Sequence, residues 1–384
     1  MPQQLLNGLL LGAIYALVAL GYTMVYGILK LINFAHSEVF MMGAYGALFA
    51  SWAMGFAPSN ATPPQGTFLT LGVMLLASML LCGSLGAIIE RFAYRPLRNQ
   101  PRIASLITAI GLSLLLQYGG QIFLPMNQAI SDRANPLSKV NHAQDAGFND
   151  NIIVVLKSGA GNGADLPTLQ AAAARAQEAF EEKVKSEKSR FDLSPEGIAL
   201  RDAAFKAEAL VKDAQNAGSK GRIDLTIPKG RLMAMFITFI LMAGLTYLVK
   251  YTKPGRAMRA VSHDFDAAGL MGVNVDRIVT FTFVLGSVLA GAAAMMIATF
   301  YAGTKIDTFF GVTLGIKAFV AAVLGGIGNI PGAVLGGLLM GVTESLVVWL
   351  GYDGYKDAVA FLILIIVLIL RPGGLLGSAK MEKV

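Results

Sequence analysis

Residues 278–302 read IVTFTFVLGSVLAGAAAMMIATFYA, a run without a single charge in which bulky apolar side chains alternate irregularly with small ones. A hydrocarbon layer roughly 30 Å thick takes about 20 helical residues to cross, and this run is long enough. Only helices and closed barrels satisfy their backbone polar groups inside lipid. The run is continuous rather than alternating with period two, so it reads as a membrane-spanning helix. Its two glycines and its alanines suit close approach of a neighbouring helix.

Working outward, similar runs occupy 5–29, 37–57, 67–92, 103–126, 230–250, 313–328, 331–351 and 357–371. Only Asn329 and Ile330 separate 313–328 from 331–351, so one of these is a candidate re-entrant segment and the count is eight or nine. The fold class is therefore an all-α integral membrane protein. It is a polytopic bundle of 8–9 transmembrane helices with broken or re-entrant segments and an extracytoplasmic helical insertion. Composition agrees, because 55% of the 384 residues are hydrophobic, more than one soluble core can bury. The single cysteine, Cys82, excludes an intramolecular disulfide. The N-terminal stretch has no basic region and no small-residue cleavage site, and it reads as a retained helix rather than a signal peptide.

The net charge of +7 suggests nucleic acid only until the charges are located. Outside 127–227, most Lys and Arg sit in short loops at the ends of apolar runs: Arg91, Arg95, Arg98 and Arg102, then Lys250, Lys253, Arg256, Arg259 and Arg277, then Arg371, Lys380 and Lys383. Lysine and arginine accumulate on the cytoplasmic side of membrane proteins. Loops 93–102 and 251–277 and the C-terminus therefore go inside. The uncharged loop 57–66 and the segment 127–227 go outside, and strict alternation puts the N-terminus outside.

Three regions follow: an N-terminal transmembrane half (1–126), a polar extracytoplasmic insertion (127–227), and a C-terminal transmembrane half (228–384) with the cytoplasmic loop 251–277. In the insertion, residues 168–190 read as a helix rich in Ala, Glu and Lys. Ser194-Pro195-Glu196 starts a second helix running to about Gln215. Two such helices make an antiparallel hairpin. A tolerated surface insertion is the simpler reading, and a docking element for an external partner is the functional one.

Polar and helix-breaking residues at membrane depth mark candidate sites. In 21–43, Asn33, His36 and Glu38 are too costly to face lipid and must face protein or water. In 325–337, GGIGNIPGAVLGG, Pro331 and its glycines break a helix, which a membrane tolerates only where the backbone packs on protein or lines a cavity. A weaker stretch is Gly111 to Gln117. Paired interrupted helices in two halves of a transporter point to its substrate path. For each polar residue here, and above all for Glu344, an internal hydrogen bond that locks packing is the competing reading. Lys317 reads as a residue snorkelling toward an interface.

The loop 251–277 carries Ser262 as a candidate cap for a helix starting at His263 or Asp264, with Asp264 and Asp266 in its favoured first turn. Ala267, Ala268, Leu270 and Met271 give that helix a small apolar face, and Gly272 ends it. Such a helix suits a partner's groove, with a helix resting on lipid as the alternative. The phosphate-cradling pattern GxxxxGK[ST] occurs nowhere in the chain. Three scattered histidines and one cysteine build no metal cluster. There is no nucleophile–base spacing and no catalytic, cofactor or metal residue to name. If ATP drives transport, the ATPase is another chain.

Five strings in this order, GYTMVYGILKLINFAHSEVFMMGAY (21–45), RPLRNQPRIASLITAIGLSLLLQ (95–117), GRAMRAVSHDFDAAGLMGVNVDRI (255–278), GIKAFVAAVLGGIGNIPGAVLGGLLMGVTESL (315–346) and YKDAVAFLILIIVLILRPGGLLG (355–377), resemble the LivH-type permease of branched-chain amino-acid ABC importers. The resemblance covers about 2–126 and 228–378. It implies a transport subunit of the bacterial cytoplasmic (inner) membrane, not an enzyme, without a cofactor of its own. Its implied partners are a second permease, two ATP-binding subunits and a periplasmic binding protein delivering leucine, isoleucine or valine. It implies a translocation path against Asn33, Phe34, His36, Glu38, Gly325, Gly328, Asn329 and Pro331. It implies an ATPase-coupling segment carrying Arg256, Arg259, Asp264, Ala267, Ala268 and Gly272. Ser37 stands where a glycine is common in the family, and the insertion replaces a short external loop. Rival readings are a urea or amide permease of the wider family, an ion-coupled secondary transporter using Glu38 and Glu344, and a sensor whose external hairpin is the working part.

Overall fold

The computed structural model describes residues 2–54, 67–98, 100–125, 151–157, 174–181, 199–203, 205–206, 223–301, 306–371 and 373–377. The loop 57–66, the expected helix start at Ser194, and Lys380 and Lys383 lie outside the described residues. By internal packing the chain divides into one unit of 1–151 with 228–384 and another of 152–227.

In the first unit the helices run α1 (Pro2–Leu29), α2 (His36–Ala53), α3 (Thr67–Ile89), α4 (Arg102–Phe123), α5 (Lys229–Tyr251), α6 (Lys253–His263), α7 (Phe265–Leu270), α8 (Val275–Phe300), α9 (Phe310–Gly325), α10 (Ile330–Trp349) and α11 (Lys356–Leu370). A single π-helical turn, Glu90–Tyr94, extends α3. Among the described residues, six helices are long and apolar enough to cross a membrane: α1, α3 with its π turn, α4, α5, α8 and α10. The remaining apolar helices are shorter. α9 has 16 residues and α11 has 15, about 24 and 22 Å at 1.5 Å per residue. α2 carries His36 and Glu38 at its start. Among the described residues, the expected eight or nine full spans thus resolve into six long apolar helices, two shorter ones and α2, whose start is polar.

α1 is the hub, buried along most of its length, with α10 its principal partner and α8, α9 and α5 around it. The α1–α10 seam is built on glycine. A Cβ on Gly8 would strike the backbone of Val342, and one on Gly12 would strike Gly337 and Leu338. Facing glycines four apart on each helix let the backbones touch, the small-xxx-small packing that lipid-embedded helices use. The register also orients the helices: the start of α1 lies beside the end of α10, and Gly27 lies beside Gly328. The basic loops therefore gather at the same end as the 326–329 turn, which the charge rule makes the inner end.

α8 packs on α3, α1 and α2. Ser78 of α3 donates its hydroxyl to the carbonyls of Gly43 (2.8 Å) and Gly291 (2.6 Å), tying three helices at one point. α4 and α5 lie at the periphery and expose large apolar side chains, Ile122 and Phe123 on α4 and Phe236 and Phe239 on α5 among them. Apolar surface left outward by a membrane helix faces lipid or another chain.

In the insertion, strands β1 (Asn151–Lys157) and β2 (Ile223–Pro228) are hydrogen-bonded neighbours in a two-stranded sheet. A helical stretch occupies 174–181, and 199–203 and 205–206 are helical too, within the two segments read as helices. The strand pair is a feature that the helical reading missed. NIIVVLK and IDLTIP are short and β-branched, but the polar composition around them masks the signal.

Candidate functional site

The inner loop begins where α5 ends. Thr252 caps α6, its side chain accepting from the Gly255 backbone N–H at 3.2 Å, with Pro254 in the first turn. α6 buries Met258 and Val261 and leaves Lys253, Arg256 and Arg259 exposed. Arg259 reaches back and donates to the carbonyls of Val249 and Lys250, the open acceptors at the end of α5. Its position therefore fixes the turn between the two helices.

Asp264, in extended backbone, breaks the chain into α7 and caps it, accepting from the Ala267 N–H at 2.9 Å. The expected cap, Ser262, instead lies inside α6 and donates to the Arg259 carbonyl (2.8 Å), because α6 continues through it. α7 ends in a left-handed Gly272 (φ 82°), with the Val273 N–H returning to the Ala268 carbonyl at 3.0 Å. Leu270 and Met271 stand 89% and 85% exposed at this tip. Ala267 is exposed, whereas Ala268 is turned inward and 5% exposed, so the two alanines do not share a face. A cavity of about 710 Å³ borders α7, lined by Phe265, Asp266, Leu270, Leu29 and Arg98 among others.

The first break, between α1 and α2, is held by internal contacts. Asn33 accepts the Tyr94 hydroxyl at 2.9 Å. His36 packs edge-on against Tyr22 at 4.6 Å between ring centroids, its Nε2 against Gly21. Ser37 donates to Glu38 at 2.6 Å and lies against the backbone of Gly311 and Gly315 on α9. Phe34 meets Phe319 of α9 at 6.1 Å. All four of Asn33, His36, Ser37 and Glu38 are buried.

The second break, between α9 and α10, turns on Gly326 and Gly328, with φ of 107° and 92°, where other residues are strained. Gly325 and Gly332 press backbone to backbone across it. Asn329 caps α10, accepting from Gly332 N–H at 3.4 Å, and donates to the Leu376 carbonyl at 2.7 Å, with Pro331 in the first turn. Gly328, Asn329 and Pro331 line a groove of about 1030 Å³ between α1, α5 and α6. Asn33, Phe34, His36 and Glu38 do not line it, so the two breaks do not meet in one cavity.

The fold is thus organised around paired helix breaks, with a short capped helix projecting from its basic end. The family model described as the branched-chain amino acid transport system permease component matches residues 4–368. The chain belongs to this permease family. It is 34% identical over 382 residues to the high-affinity branched-chain amino acid transport system permease protein LivH of Salmonella typhimurium, covering 100% of this chain and 97% of that one. BraD of Pseudomonas aeruginosa is 35% identical over the same span. A more distant relative, the autoinducer 2 import system permease protein LsrC of Yersinia pseudotuberculosis, is 32% identical over 35% of this chain. No solved structure matches. The chain is a multi-pass membrane protein and a transport subunit.

The permease carries two charged networks that the sequence reading did not single out. At the inner end, Glu90 is fully buried in the π turn. It accepts from Arg95 (3.0 Å), Arg98 (2.9 Å) and the Thr280 hydroxyl (2.7 Å), and Arg98 also pairs with Asp276. The hydrogen bond to Glu90 is the main cause that raises the Arg95 guanidinium above its ordinary pKa. The Arg95 N–H bonds the Glu90 carbonyl at 2.7 Å, the i→i+5 bond of the π turn. Deeper in the bundle, Lys317 does not snorkel. It pairs with Glu344 at 2.8 Å and Asp357 at 2.6 Å, and Glu344 also accepts the Tyr15 hydroxyl at 2.8 Å. Four helices, α1, α9, α10 and α11, meet at this cluster. A glutamate at the end of an apolar run followed by two arginines was the available signal for the first network. Nothing local in the sequence signals the second.

Proposed function

We propose that this chain is one membrane-spanning subunit of an ATP-driven importer for leucine, isoleucine and valine in the bacterial cytoplasmic membrane. It works with a second permease, two ATP-binding subunits and a periplasmic binding protein. The observation that carries the reading is α7, a capped helix at the basic inner end whose Leu270 and Met271 are left 89% and 85% exposed. Exposed apolar tips on a rigid short helix fit a hydrophobic groove on a partner. Arg256, Asp264, Ala267 and Gly272 belong to that contact, and Arg259 and Ala268 hold it in place. Full-length similarity to LivH and BraD, both named for branched-chain amino acids, supports the substrate.

The substrate path runs past Phe34, His36 and Glu38 on the side of α9 that faces α2, where the polar break of the first half meets Gly311 and Gly315, and reaches Gly325 at the second break. The backbone breaks are the hinges that alternate access requires. The test is uptake of labelled leucine into vesicles carrying the reconstituted complex. Uptake that requires ATP and all subunits, and that valine but not urea competes away, is the expected result. Ion-gradient uptake by this chain alone would replace the reading with a secondary transporter.

A further inference from the structure

The groove between α1, α5 and the 326–331 turn has a chemistry that the transport reading does not use. Its cations are Lys30, Lys250 and Arg259, all at the inner end, and no acidic side chain is among the residues that line it. Neither Lys30 nor Lys250 makes an ion pair with any described residue. Lys30 is also the one non-glycine among the described residues with a positive φ (54°), at the C-terminal end of α1 where glycine is the usual occupant. A strained backbone at a position that holds a lysine points to a demand for the side chain. Away from the charges, the walls are apolar, with Phe239 and Met242 on one side and Ile327 and Val334 on the other. Tyr247 and Tyr251, 64% and 70% exposed, flank the charged end. From Phe239 to Tyr251 is about 18 Å of helix, close to one leaflet's share of a hydrocarbon core of roughly 30 Å.

We infer that this groove is a binding site for an anionic phospholipid of the inner leaflet, its phosphate on Lys30 and Lys250 and an acyl chain along α5. Basic pockets between helices on the cytoplasmic side suit such headgroups, and tyrosines mark the interface depth. A zwitterionic amino acid fits worse, because no carboxylate lines the groove to pair with its ammonium. A second permease would have to bring acids to meet two lysines or leave them desolvated and unpaired, which is costly.

The test is native mass spectrometry of the intact importer purified in mild detergent, titrated with phosphatidylglycerol and separately with phosphatidylcholine. Lys30→Gly and Lys250→Gln are the variants. The expected result is selective retention of phosphatidylglycerol that falls about fivefold for each lysine removed. Lys30→Gly relieves the positive-φ strain, so its thermal midpoint stays level or rises, and loss of lipid there cannot be assigned to misfolding. Equal retention of the two lipids, or unchanged retention in both variants, overturns the inference. So does efficient cross-linking of Met242→Cys to the second permease, which would show a protein chain in the groove.

Discussion

Lys317 and Glu344 show what a membrane core asks of a charge. Each is almost fully buried, and each is satisfied, the lysine by two carboxylates and the glutamate by the lysine and Tyr15. Removing one member of a buried pair costs about 3–5 kcal/mol, because the other charge stays behind in low dielectric. Glu344→Leu should therefore lower the stability of the purified protein by an amount near the bottom of that range, since the half-exposed Asp357 still faces Lys317. The double variant Lys317→Met with Glu344→Leu should recover most of the loss, as apolar replacements of buried pairs often do. Thermal unfolding in detergent measures both. The double variant should also transport, an outcome incompatible with Glu344 carrying a coupling ion. That residues 33–38 needed protein partners was legible, because polar groups at membrane depth have no alternative. Which partner each one takes was not, since Asn33 finds Tyr94 and Lys317 finds Glu344 through contacts that no local spacing encodes.

At the scale of the element, α7 separates two alanines that the sequence reads as one face. Ala267 is exposed, so Ala267→Glu should change stability by no more than about 0.5 kcal/mol. It should uncouple the machine, with ATP hydrolysis persisting while leucine uptake falls. Both are read on one reconstituted preparation, and normal uptake would remove α7 from the ATPase contact. Ala268→Glu would bury an unpaired carboxylate and should instead abolish folding, seen as loss of the monodisperse complex on size exclusion. At Gly328 in the second break the nearest atoms to an added Cβ lie 3.8 Å away, so its constraint is the positive φ rather than space. Gly328→Ala should cost roughly 1–2 kcal/mol for the left-handed backbone alone. Gly326→Ala should cost more, because the backbone of Gly377 also occupies the space. Unfolding of the two variants side by side orders them. The C-terminal Gly272 of the loop was readable from residue type, but the caps were not, since Thr252 and Asp264 hold the positions and Ser262 lies inside α6. The extra helix α6 was not, since its burial depends on Met258 and Val261 meeting neighbours remote in sequence.

Across the whole molecule, the transmembrane unit closes without the insertion. The α1–α10 seam, the Ser78 junction and the Lys317 cluster all lie within 1–151 and 228–384, and 152–227 packs as a unit of its own. Hydropathy alone exposes the spanning helices of the first unit, because a spanning helix must be apolar over its whole length. The insertion obeys no such constraint, which is why a strand pair could stand beside its helices unannounced. That pair, β1 with β2, hydrogen-bonds the two ends of 151–228 to each other. A chain in which 158–222 gives way to a short Gly-Ser turn retains both strands and loses only what they carry. Long surface insertions cost little to stability and their removal returns little. The shortened chain should therefore assemble with its partners at normal yield and unfold within about 0.5 kcal/mol of the parent. Uptake driven by the binding protein then decides what the segment is for. Retained uptake, the expected result, makes it a tolerated insertion on the outer face. Normal assembly with ATP hydrolysis no longer stimulated by the loaded binding protein would make it the docking element for that partner.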